Sequence, residues 1–66
     1  AGGVLVRSVA AGSPAALAGL RSNDVIVKAN RSLVGNLRNL REAARGATSL
    51  VLTVRRGNTA LLIPLR

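Results

Sequence analysis

The stretch from Gly12 to Asn30, Gly-Ser-Pro-Ala-Ala-Leu-Ala-Gly-Leu-Arg-Ser-Asn-Asp-Val-Ile-Val-Lys-Ala-Asn, constrains this chain more than any other. Ser13 suits a helix cap, and Pro14 suits the first helical position, where a missing N–H costs nothing. Ala15 to Ala18 carry a short helix, and Gly19 supplies the left-handed residue that stops it. Asp24 then opens a β-branched apolar run, Val25 to Ala29, which reads as a strand. Helix, exit and strand follow one another with almost no slack.

The flanking sequence extends this pattern. Val4 to Val9 is short, β-branched and ended by Gly-Ser-Pro, so it reads as a strand with Val4 and Val6 on one face and Leu5 and Arg7 on the other. Asn30-Arg31 marks a turn, in which Asn30 tolerates positive φ, and Ser32 to Val34 is extended. Asn36 is the expected cap of a second helix. Leu37, Leu40 and Ala44 recur on it at helical spacing, and Gly46 closes it. Ser49 to Arg55 and Thr59 to Leu65 form a hairpin around Gly57-Asn58, a pair that suits a two-residue turn. Pro64 has no N–H for a sheet ladder, which puts the last strand at an edge. The order β-α-β-(β)-α-β-β defines an α+β class with a small, mainly antiparallel sheet.

Composition narrows the chemistry. Sixty-six residues make one small domain, residues 1–66. A chain of this size buries only about 60% of the surface it exposes when unfolded. Without Cys or His, these residues hold no disulfide, thiolate metal site or Ser-His-Asp triad. The core must come from Ala, Val, Leu and Ile alone, because Phe, Tyr, Trp and Met are also absent. No apolar run reaches the roughly 20 residues that span a bilayer, so no transmembrane segment is expected. Ten basic residues face only Asp24 and Glu42, giving a net charge of +8. Such a surface attracts acidic partners, and Arg7, Arg21, Arg55 and Arg56 are available to dock them. Nucleic-acid binding is disfavoured, because no aromatic ring is present to stack on bases.

Several motifs together carry a family resemblance. Gly3-Val4-Leu5-Val6, the Gly12 to Leu20 helix, the Asn23-Asp24-Val25-Ile26 strand entry, the helix from Asn36 to Ala44, and Val54-Arg55-Arg56-Gly57-Asn58 before a final apolar strand resemble PDZ domains in their circularly permuted bacterial order. Asn23 stands where these domains usually carry Gly. The whole chain is similar to the PDZ domains of HtrA/Deg-type (DegQ/DegP-like) serine proteases. Its ending, with Arg66 last, most resembles their second, C-terminal PDZ domain.

The resemblance implies a small antiparallel sheet or partial barrel with two helices, as one domain of a larger periplasmic protease. The trypsin-like catalytic domain of such a protease lies outside these residues, so no catalytic residue, metal ligand or cofactor is expected here. PDZ domains bind a C-terminal or unfolded polypeptide segment by adding it as a strand to the sheet, with its carboxylate on a glycine-containing loop. In the permuted order that loop and strand precede Gly3, so this chain is expected to lack one wall of the groove. The other wall is the second helix, whose groove candidates are Asn36, Leu40, Arg41 and Ala44. Asn36 also fits a plain cap, and Leu40 and Ala44 also fit a plain core. Asp24 is expected to be structural, accepting backbone N–H groups in its loop. The implied partners are polypeptide segments, other subunits or domains of the protease, and a second copy of this chain pairing through an open sheet edge. The alternative function is a basic domain that docks anionic lipid or nucleic acid.

Overall fold

The computed structural model describes residues 2–65, so Arg66 of the closing motif lies outside the described residues. The elements run β1 (Val4–Leu5), α1 (Pro14–Ala18), β2 (Val25–Ala29), β3 (Ser32–Leu33), α2 (Leu37–Ala44), β4 (Leu50–Arg56) and β5 (Thr59–Leu65). They form one antiparallel sheet in the order β1-β2-β4-β5, with β3 also paired to β2. The expected α+β architecture is the one observed. β5 lies at the edge, as Pro64 requires, and Arg56 pairs with Thr59 across the Gly57-Asn58 turn.

α1 forms as its residues dictate. The Ser13 side chain accepts a hydrogen bond from the Ala16 amide at 3.2 Å. Gly19 adopts φ +106°, and its own amide bonds back to Ala16. β1 is shorter than Val4 to Val9. The Val6 amide still donates to the Asp24 carbonyl and its carbonyl still accepts from the Asn23 amide. Asn23 has φ +74°, so the partner chain turns away there and Arg7 to Ala10 have nothing to pair with.

β2 carries a feature that strict alternation does not foresee. Ile26 pairs with Val54, but Lys28 pairs with Thr53, so Val27 is an extra residue in the ladder. Such a bulge resets which face the following side chains occupy. Ile26 and Ala29, an odd number of residues apart, are therefore both buried. The bulge lies where one edge of β2 passes from β1 to β3, and the Val27 carbonyl accepts from the Val34 amide at 2.9 Å.

The core comprises Ile26, Ala29, Val34, Leu52, Val54 and Ile63. Leu50, Leu61 and Leu65 join it from the same faces of β4 and β5, and so do Val4 of β1 and Val6 just beyond it, as the period-two pattern requires. α1 rests on β5, and α2 on β2. α2 uses Leu40 and Ala43 against the core, whereas Leu37 is half exposed. The inward stripe is thus displaced from the Leu37-Leu40-Ala44 line read from spacing. An eight-residue helix touching the sheet along one side needs only its central residues for that contact.

Candidate functional site

Two surfaces converge near the N-terminus of α2. The Gly3 amide donates to the Gly35 carbonyl at 3.2 Å, which ties the start of β1 to the residue before the α2 cap. The approach is close: a Cβ on Gly2 would lie 2.8 Å from the Gly35 Cα, and one on Gly3 would lie 2.7 Å from a Val25 methyl. Gly3 also holds φ +127°, a conformation that side chains oppose.

The first surface is the outer edge of β1. Val6 turns its amide and carbonyl toward β2, so by antiparallel alternation the polar backbone groups of Leu5 point away from the sheet. Among the described residues no strand pairs with this edge. The Leu5 side chain beside it is 54% exposed.

The second surface is α2. The Asn36 side chain accepts from the Asn39 amide at 2.9 Å, and the Asn39 side chain accepts from the Gly35 amide at 3.0 Å. This reciprocal pair fixes the helix start. Of the four groove candidates, Asn36 is therefore a cap, Leu40 packs on the core, Ala44 is half-buried and Arg41 is exposed. Arg41 lines a shallow cleft of about 380 Å³ with Leu37, Arg38, Glu42 and Arg45. Leu37 was not among the candidates. Its helical spacing with Arg41 and Ala44 was the signal that places these three along one side of α2. A larger open hollow of about 600 Å³, lined by Gly2, Val25, Val27, Leu33, Val34, Gly35 and Arg55, touches none of the four candidates.

Asp24 is structural, but its main partner is not its own loop. Its carboxylate is 1% exposed and accepts from the Arg21 amide at 2.9 Å. Arg56 grips it with two bonds of 2.8 Å, from Nε to Oδ1 and from Nη2 to Oδ2. The same Nη2 donates to the Gly19 carbonyl at 2.9 Å. One guanidinium thus joins β4, the end of α1 and the entry to β2. The Arg56 hydrogen bonds hold the Asp24 carboxyl below the usual carboxylate range, outweighing its burial. Asp24 in turn raises the pKa of Arg56. Arg56 is therefore not available to dock an acidic partner. Arg56 lies on the same face of β4 as Leu52 and Val54, which directs it inward over the core.

A family model described as "PDZ domain" matches residues 5–56. The chain belongs to the PDZ domain family. The PDZ domain is 42% identical over 62 residues to the periplasmic serine endoprotease DegP of Salmonella typhimurium, covering 92% of this chain and 13% of that protein. It is 41% identical over 61 residues to the bovine mitochondrial serine protease HTRA2, again covering 92% of this chain and 13% of the relative. The chain thus spans about an eighth of the length of these relatives. Among solved structures, the HtrA3 PDZ domain bound to a phage-derived ligand, FGRWV, superposes with a TM-score of 0.90 at 38% identity, covering 97% of this chain and 58% of that one. The PDZ fold and the kinship with HtrA, DegP and DegQ are thereby established.

Proposed function

We propose that this PDZ domain is a non-catalytic polypeptide-recognition module of an HtrA-type serine protease. A polypeptide segment is received against α2, on the side of Leu37, Arg41 and Ala44, and the strand to which it would add is the one that precedes Gly3 in the permuted order. The observation that carries this reading is the fold, which superposes at a TM-score of 0.90 and 38% identity on a PDZ domain bound to a peptide ligand. Strand addition uses main-chain hydrogen bonds for affinity and neighbouring side chains for choice of sequence. The protease activity, the catalytic apparatus and the quality-control role belong to the parent protein.

The test is a titration of the isotopically labelled chain with the FGRWV peptide, followed by amide chemical shifts. Expected are shifts concentrated along α2, at Leu37, Arg41 and Ala44. Saturable binding mapped to any other face, or no binding at millimolar peptide, would overturn the reading.

The outer edge of β1, unpaired among the described residues, supports a second reading, pairing with another copy of this chain. Exposed edges recruit strands, and the exposed Leu5 beside this one adds apolar area. Sedimentation at rising concentration is expected to show a reversible dimer, weakened by Leu5→Lys. A clean monomer at millimolar concentration excludes it. DegP and DegQ support a periplasmic location for the parent. The mitochondrial relative matches at similar identity, so fractionation of the source cell decides between compartments.

A further inference from the structure

The outward face of α2 carries three arginines against one glutamate. Arg38, Arg41 and Arg45 recur at helical spacing and line the cleft with the half-exposed Leu37. Neighbours three and four residues apart on a helix meet, so these like charges repel one another. Arg41 in the last turn is at least favoured by the helix dipole. Arg38, in the first turn, opposes the dipole, and no acidic residue stands in that turn to offset it. Glu42 stands one helical turn from Arg38 and from Arg45 and offsets part of this repulsion, without a direct ion pair among the described residues. The face therefore keeps a net positive charge, three arginines against Glu42, which an anionic partner laid along it would meet.

We infer that α2 selects acidic polypeptide segments, with Arg38, Arg41 and Arg45 contacting carboxylates of the bound chain and Leu37 contacting an apolar residue. This rests on the polypeptide-recognition reading above, and it names the class of segment that site prefers. The stripe favours a peptide over a nucleic-acid backbone for two reasons. Glu42 interrupts the positive charge, which a peptide can meet with a neutral or basic residue but a uniform phosphate backbone cannot. Leu37 offers apolar contact, and the chain has no aromatic ring for base stacking. The basic residue in FGRWV, the ligand of the HtrA3 domain, is the kind of residue this stripe would repel.

The experiment compares two labelled pentapeptides, FGRWV and FGEWV, by fluorescence anisotropy with the chain. The single Glu gains one exposed ion pair and removes one repulsion, which at ordinary strength amounts to about a fivefold preference for FGEWV at low salt. The preference should vanish at about 0.5 M salt, where exposed charges are screened. It should also vanish in the triple variant Arg38→Gln, Arg41→Gln, Arg45→Gln, and persist in the triple Arg→Lys variant. Circular dichroism checks that both variants remain folded, as substitutions of exposed side chains allow.

Equal binding of the two peptides overturns the acidic preference and leaves peptide recognition standing. A preference that survives the Gln triple shows the acid is read elsewhere and overturns the assignment to α2. A short DNA duplex that competes as well as FGEWV overturns the choice of polypeptide as partner. Binding of neither peptide overturns both the preference and the proposed function.

Discussion

Ile63 of β5 is the residue through which the closing strand and α1 share one core. It is 5% exposed, pairs across the ladder with Leu52, and its Cδ1 lies 3.9 Å from where a Gly19 Cβ would sit. Ile63→Ala removes three buried carbons, worth roughly 2.4 kcal/mol in transfer free energy. A cavity term is added to the extent that the neighbours do not collapse. α1 contributes no fully buried side chain, so it is free to settle toward the gap. The total is then about 3 kcal/mol, in the lower half of the usual range for Ile→Ala. Ile63→Val removes one carbon and costs about 1 kcal/mol, a fall in Tm of roughly 4–8 °C for a domain of this size. A single core this small rarely supplies more than about 3–5 kcal/mol, so the Ala variant should sit at the edge of folding while the Val variant gives a measurable curve. Urea unfolding followed by far-ultraviolet circular dichroism reads both, with Leu17→Ala, at an 81% exposed position, as the reference. A loss below about 1 kcal/mol for Ile63→Ala, at unchanged m-value, would refute the placement of Ile63 in a shared core.

Asp24 makes stability depend on acid. Its folded pKa is lowered, so its contribution is fully present above the unfolded value of about 3.9 and is lost as pH falls through the lower folded value. Urea midpoints should be flat above about pH 5, fall below pH 4, and lose most of that fall in Asp24→Asn. Gly3→Ala should cost about 2 kcal/mol or more, from positive φ together with the clash at Val25. Gly12→Ala, where the new Cβ meets open space, isolates the φ cost alone. Asn36→Ala removes the cap from α2 and should cost about 1 kcal/mol, seen as a lower Tm, whereas Asn36→Ser should recover most of it.

Local signals were legible wherever a residue's own covalent chemistry chooses the backbone. Ser13, Pro14 and Gly19 specify a capped, stopped helix whatever surrounds them, and Asn36 and Gly57-Asn58 likewise mark a helix start and a turn. The family resemblance rests on the same short-range motifs, which is why it covered nearly the whole chain. The site was less legible. Asn36, Leu40 and Ala44 lie on the expected helix, yet a helical repeat does not say which side meets the sheet. Docking on β2 directs Leu40 and Ala43 inward and leaves Leu37 and the three arginines outside.

The sequence by itself determined the order of elements, the α+β class, the small aliphatic core and the absence of a His-based triad from these residues. Only the tertiary structure decided two further points. The bulge at Val27 buries Ile26 and Ala29 together, because the extra residue against β4 shifts the alternation of β2 by one. Arg56, though a third exposed, is committed to Asp24, because the end of β4 brings its guanidinium to the Asp24 carboxylate and the Gly19 carbonyl. The stretch from Gly12 to Asn30 is therefore closed by a residue outside it. Helices and turns form from neighbours in sequence, but a register or an ion pair spanning 32 positions exists only when the whole chain has folded.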